Sequence, residues 1–202
     1  MGGLLVLTHG LPGAGKSYLA RWLLRLYPDL VTVAERDELR VLLLPADYHK
    51  KGHDDASEAL VTAAQHELIE DALSQGRVVV VSDTNLNEYR IRPLVELARR
   101  FDARVVHGHL DFTIDDCRRR NEARAAVGGR LVPDDIIDDM AAYGYSNGRI
   151  KHFSIQSTGD GPEDFAVAIE DRDGSEPTLA EERELIVQAV EDLLISQSQK
   201  KD

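Results

Sequence analysis

Cysteine is almost absent: Cys117 is the only one in 202 residues. An internal disulfide framework is thereby excluded, and the usage fits a reducing compartment. Aromatic residues are sparse, at 5%. No apolar run approaches the roughly 20 residues that span a bilayer. The apolar opening GLLVLTHG lacks a basic stretch and a cleavage site, so a secretory signal is not expected. There is no internal repeat, and a composition of 43% apolar and 30% charged residues excludes collagen-like and wholly disordered classes. A chain of this size buries roughly 70% of its unfolded surface, which suits one domain. A cytoplasmic protein, with no membrane as a partner, is expected.

An overall basic charge is missing too. The net charge is −12, against the basic balance usual in proteins that bind nucleic acid. The excess is uneven, however. Residues 154–202 carry 13 acidic and 4 basic side chains, whereas residues 1–153 carry 23 and 20. Basic clusters remain in the first part, at Arg118-Arg119-Arg120, Arg124 and Arg130. Overall charge therefore does not decide the partner.

What is present is a repeated strand, loop and helix pattern. Leu4–Thr8 is a short apolar run leading to Gly10, and the residues from Lys16 to Leu26 carry a helical apolar stripe. Pro28 stops that helix. A second strand is expected over Leu30–Ala34 and a short helix over Asp37–Leu43, followed by a polar loop over 45–56. Ser57 is placed to cap a long helix that Gly76 closes. The valines 78–81 suit a strand covered on both faces, as in a parallel sheet. Asn87 caps the next helix, Ala103–Leu110 is another strand, and the segment Thr113–Ala126 is an arginine-rich helix. Pro133 opens one more helix with Asp134 and Asp135 in its first turn. Phe165–Glu170 reads as a strand. Thr178–Ile195 reads as an amphipathic helix opened by the box Thr178-x-x-Glu181, after a linker at 156–163. The class is α/β, with a mainly parallel sheet flanked by helices.

Gly10–Ser17, GLPGAGKS, fits G-x4-G-K-[ST] without mismatch, between a strand and a helix. Backbone N–H groups around Gly13, Ala14 and Gly15 would face phosphate oxygens, aided by the helix N-terminus. Lys16 supplies a positive charge to the β- and γ-phosphates and Ser17 a hydroxyl to Mg²⁺. This motif gives a nucleotide site for ATP or another NTP, and leaves the phosphate acceptor open. The base-reading N-K-x-D of GTPases does not occur.

Three further segments fall beyond the carboxyl ends of strands, where such folds bind ligands. In ERDELR, Asp37 could accept the proton of an attacking hydroxyl, and Arg40, one turn later, could clamp a phosphate. In SDTNLN, Asp83 follows the valine strand, where an acid manages Mg²⁺ or orients a neighbour, with Thr84 beside it. In RRRNEAR, Arg120 and Arg124 share a helix face ahead of Gly128-Gly129, which suits a lid over about 118–132 that closes on ATP.

GLPGAGKS, RDELR, SDTNLN and RRRNEAR with the VP-D beyond it, in that order, resemble the bacteriophage polynucleotide kinase family. The resemblance covers about residues 1–145. It implies a P-loop kinase fold with a helical lid. It implies transfer of the γ-phosphate of ATP, with Mg²⁺, to 5′-hydroxyl ends of DNA or RNA. It also implies that Asp37 is the general base, that Arg40 holds the phosphate on the 3′ side, and that Asp83 supports that arginine. Arg124 would touch the ATP phosphates. A kinase of a small hydroxylated metabolite or nucleoside is the alternative. Glu35 departs from the pattern by adding a carboxylate near a site for a polyanion.

Some relatives carry a phosphatase motif of an apolar strand followed by D-x-D-G-[TS]. Asp171, Asp173, Gly174 and Ser175 fit it, but a strand ending in a D-G turn explains them, and no phosphatase activity is expected. His49 and His53 lie among acids without metal-ligand spacing and read as loop residues. The expected organisation is a kinase core over 1–150, with an acidic strand and helix within 151–202 packed on the same domain.

Overall fold

A run of four valines has no polar face, and the fold covers both sides of it. In the computed structural model the elements are, in chain order, β1 (Leu4–His9), α1 (Lys16–Leu26), β2 (Val31–Val33), α2 (Arg36–Leu43) and α3 (Asp55–Ser74). Then come β3 (Val78–Val81), α4 (Glu88–Arg100), β4 (Arg104–Asp111), α5 (Ile114–Ala126) and α6 (Asp134–Gly144). The last are β5 (Tyr145–Ser146), β6 (Arg149–Ile150) and β7 (Phe165–Glu170). The structure describes residues 2–45, 47–48, 54–146, 149–150 and 165–170, with positions 184, 187–188, 190–192 and 195. The linker at 156–163, the box at Thr178, the motif from Asp171 to Ser175 and the loop histidines His49 and His53 lie outside them.

Five strands form one sheet in the order β2-β3-β1-β4-β7, and every pairing is parallel. Parallel neighbours need crossovers, and these put helices on both faces. Alternation along the strands then makes two cores. Leu4, Val6, Val78, Val80 and Val106 pack with Leu19 and Leu23 of α1, Cys117 of α5 and Ile137 of α6. Leu5, Leu7, Val79, Val81 and Val105 pack with Ile69 and Leu73 of α3 and Ile91 and Val95 of α4. This is the α/β architecture expected from the strand and helix pattern.

Local signals explain most boundaries. Asn87 caps α4 by accepting from Tyr89 N–H at 3.0 Å, and Thr113 caps α5 by accepting from Asp116 N–H at 3.2 Å. One expected cap is corrected. Asp54, not Ser57, caps α3, and its carboxylate accepts from Ser57 N–H at 2.9 Å. A charged acceptor at the positive end of a helix outcompetes a hydroxyl three residues later, so the loop before α3 ends at Asp54.

The described positions between 184 and 195 are helical. Val190 is fully buried in the first core and Val187 packs against it, while Tyr27 Oη donates to Glu191 Oε1 at 3.3 Å. Among the described residues no helix is long and apolar enough to cross a membrane. In the order β2-β3-β1-β4-β7 the connection from β1 runs to β2 while that from β3 runs the other way to β4, and the two diverge to open a crevice beyond the carboxyl ends of β1 and β3.

Candidate active site

The glycine loop connects β1 to α1 across that crevice. Gly13 and Gly15 have φ values of +92° and +99°, a left-handed backbone that glycine alone adopts cheaply. A Cβ on Gly13 would lie 2.2 Å from the Cys117 carbonyl oxygen, so the loop rests directly on α5. Gly10 N–H donates to Thr84 O at 3.1 Å, which ties the loop to the segment after β3. No side chain caps α1, so its first N–H groups and its positive dipole end face the loop. Lys16 is buried, and its Nζ donates to Gly10 O at 2.9 Å and Leu11 O at 2.8 Å. Burial lowers its ammonium to about 8, against the opposing pull of Cys117, Asp83 and Glu35.

Asp37 and Arg40 meet one turn apart on α2, with Arg40 Nη1 donating to Asp37 Oδ1 at 2.6 Å. Arg130 reaches the other oxygen, with Nη1 2.8 Å from Asp37 Oδ2. Burial alone would raise the Asp37 carboxyl, but Arg130 and Arg40 outweigh it and hold the group below its ordinary value. Glu58 of α3 holds Arg40 from the side. Nε donates to Oε1 and Nη2 to Oε2, both at 2.8 Å. That side-on fork fixes the guanidinium plane. Glu58 also accepts from Arg36 Nη2 at 2.7 Å and from Tyr48 Oη at 3.1 Å, and Arg36 Nη1 donates to Thr62 Oγ1 at 2.8 Å.

Glu58 therefore does for Arg40 what the family resemblance implied for Asp83. Asp83 is occupied differently: Oδ1 accepts from Arg36 N–H at 3.1 Å and Oδ2 from Gln65 Nε2 at 2.7 Å. Burial pushes its carboxyl up, against the hydrogen bonds from Gln65 and Arg36. Asn85, whose φ is +45°, anchors the same segment through Nδ2 donating to Thr8 O at 2.8 Å. His9 Nδ1 donates to Asn85 O at 2.6 Å.

The arginine helix and the loop after it form one unit. Buried Asn121 donates to Val132 O at 2.8 Å and accepts from Val132 N–H at 3.1 Å. Arg124 Nη2 donates to Asn121 Oδ1 at 2.8 Å. Burial lowers the Arg124 guanidinium, while Asp37 and Glu35 raise it. Arg120 stacks on Phe112, with its guanidinium carbon 3.8 Å from the ring centre. The structure thus gathers Lys16, Ser17, Asp37, Arg40, Asp83, Thr84 and Arg124 about one crevice, and stacks Arg120 on Phe112. Ser17 Oγ and the nearby Glu35 carboxylate are hard oxygen donors, the kind that Mg²⁺ takes together with phosphates and water. Among the described residues no group of three or more His, Cys, Asp or Glu side chains could hold a metal by itself.

Glu58, Gln65 and Asn121 were not singled out from the sequence. Glu58, Thr62 and Gln65 recur at i, i+4 and i+7, a polar stripe on α3 beside buried Val61 and Ile69. That stripe is the signal that could have found two of them. For Asn121 there was no such signal.

Comparison with known proteins follows the same lines. A family model described as AAA domain matches residues 5–144. A protein in the structure of the Pnkp1/Rnl/Hen1 RNA repair complex is 18% identical with a TM-score of 0.62, over 78% of this chain. This chain spans 50% of that protein's length. A candidate kinase from Chloroflexus aurantiacus is 16% identical with a TM-score of 0.64, over 95% of this chain and 98% of that one. The Mycobacterium tuberculosis APS kinase CysC, in complex with AMPPNP and APS, is 18% identical with a TM-score of 0.54, over 96% and 98%. At these identities the likeness is one of fold, the α/β fold of P-loop kinases.

Proposed function

We propose that this chain, which belongs to the AAA domain family, is an ATP-dependent 5′-hydroxyl polynucleotide kinase. The observation that carries the reading is the Asp37–Arg40 pair at the carboxyl end of β2, with the arginine fixed side-on by Glu58. A carboxylate and a guanidinium held together in this way suit a hydroxyl next to a phosphate. Asp37 accepts the proton of the 5′-hydroxyl as that oxygen attacks the γ-phosphorus in line with the departing ADP. The outer Nη1–Nη2 edge of Arg40 faces the phosphate on the 3′ side of the same nucleotide. Lys16 and the loop N–H groups hold the β- and γ-phosphates, and Arg124 balances charge on the transferring group. Mg²⁺, held by Ser17, would neutralise charge on the phosphate oxygens.

A second reading, a kinase of a small hydroxylated metabolite or nucleoside, is favoured by one feature. Two carboxylates, Glu58 and Asp37, already face Arg40, which suits an uncharged acceptor. Transfer of label from γ-labelled ATP separates the two. Oligonucleotides with 5′-OH ends, of DNA and of RNA, are compared with nucleoside 3′-monophosphates, free nucleosides and sugar acids. Label on oligonucleotides and 3′-monophosphates but not on free nucleosides is expected. Label confined to nucleosides or sugar acids overturns the polynucleotide reading. Asp37→Ala is expected to slow transfer about 10²–10⁴-fold with ATP binding retained. Arg40→Ala is expected to raise the KM of the acceptor far more than that of ATP.

A further inference from the structure

Glu35 occupies the N-cap position of α2 with extended backbone, yet its side chain makes no cap hydrogen bond. A carboxylate there would ordinarily accept from the first N–H groups of the helix. Instead it turns toward the phosphate loop. Ser17 Oγ donates to Glu35 Oε1 at 2.7 Å, and Ser82 Oγ donates to Oε2 at 3.1 Å. Hydroxyls at the start of α1 and at the end of β3 thus meet on one carboxylate from the end of β2.

We infer that Glu35, not Asp83, is the carboxylate that completes the metal site with Ser17. A hydroxyl that donates its proton to Glu35 keeps its oxygen lone pairs directed away from that bond, toward a cation. The negative charge of Glu35 lies one hydrogen bond behind, which strengthens Ser17 as a ligand and offsets the cation's charge. Asp83 is held for another task, because its two oxygens accept from Arg36 N–H and Gln65 Nε2. One hydroxyl backed by a carboxylate suits Mg²⁺, which completes its shell with water and nucleotide phosphates. The acid expected after the valine strand is thus supplied from the neighbouring strand.

The inference shares with the kinase reading only the nucleotide site, so it is tested without an acceptor. Mn²⁺ binding to the full chain with AMPPNP is followed by the loss of the free-ion electron paramagnetic signal. Glu35→Gln keeps an oxygen to accept from Ser17 and removes the charge. It is expected to weaken Mn²⁺ about 10–100-fold, with AMPPNP affinity in the absence of metal no weaker than that of the unsubstituted chain. Asp83→Asn is expected to keep Mn²⁺ affinity within about threefold of the unsubstituted chain. Because Glu35 acts through Ser17, Glu35→Gln with Ser17→Ala is expected to lose no more than the worse single variant. Additive losses overturn the inference, as does Mn²⁺ weakened by Asp83→Asn as much as by Glu35→Gln. If Mn²⁺ binding depends on Glu35 while no polynucleotide is labelled, the acceptor reading fails and the metal assignment stands.

Discussion

Lys16 and Gly13 carry consequences of opposite kinds, one electrostatic and one steric. The Lys16 ammonium is lowered to about 8 by burial. Phosphate binding needs its charged form, so nucleotide affinity is expected to hold below about pH 8. Above that it falls by up to about tenfold per pH unit. Titration with a fluorescent ATP analogue between pH 6.5 and 9.5 checks this. A Lys16→Met variant is expected to bind weakly, without that alkaline fall. Gly13 combines a φ of +92° with 2.2 Å between a notional Cβ and the Cys117 carbonyl oxygen. Gly13→Ala therefore adds backbone strain of about 1–3 kcal/mol and lifts the loop from α5. Chemical denaturation and nucleotide titration are expected to show both losses together. The glycine pattern was legible in the sequence. The contact with Cys117 was not, because that residue is 104 positions away and touches the loop through its backbone.

Among elements, the segment after α5 is held to α2 by a contact weak enough to exchange. Arg130 and Asp37 are 44% and 49% exposed, and half-exposed pairs of this kind contribute about 0.2–1 kcal/mol. On the proposed kinase reading, an acceptor entering the crevice replaces Arg130 at that cost. Arg130→Ala is accordingly expected to change stability by less than about 1 kcal/mol. It also removes one of the two cations that hold the Asp37 carboxyl low. The acid limb of the transfer rate against pH is then expected to move to higher pH. Hydrolysis of ATP without acceptor is expected to rise, since Asp37 Oδ2 no longer accepts from Arg130. An unmoved acid limb would mean that the pair does not form in solution. The clamp on Arg40 shows where helix reading stops. The i,i+3 spacing of Asp37 and Arg40 gave their contact, whereas Glu58 comes from a helix whose angle to α2 is set by packing.

At the scale of the whole molecule, the late chain is joined to the early core. β7 pairs with β4 from Val106↔Phe165 to Asp111↔Glu170, and Val190 is fully buried with the residues of β1 and α1. We propose that the whole is one cooperative unit. Val190→Ala is expected to cost about 1–3 kcal/mol. Urea unfolding followed by Trp22 fluorescence and by far-ultraviolet circular dichroism is expected to give coincident midpoints that shift together. Separate transitions would divide the late segment from the core.

The sequence by itself determined the class of the fold, because the valine run and the helical stripes each demand covering on a stated face. It also determined the nucleotide loop, whose residues are contiguous and whose chemistry depends on local backbone. Asp37 and Arg40 were legible for the same reason, being neighbours on one helix turn. Only the tertiary structure decided which carboxylate faces which cation. Glu35 turns to Ser17 rather than capping α2, Glu58 takes Arg40, Asp83 takes Arg36 N–H, and Arg120 stacks on Phe112. Charged side chains are long and pair with whatever opposite charge packing brings within about 3 Å. That distance depends on the angles between helices and sheet, which no spacing along the chain encodes.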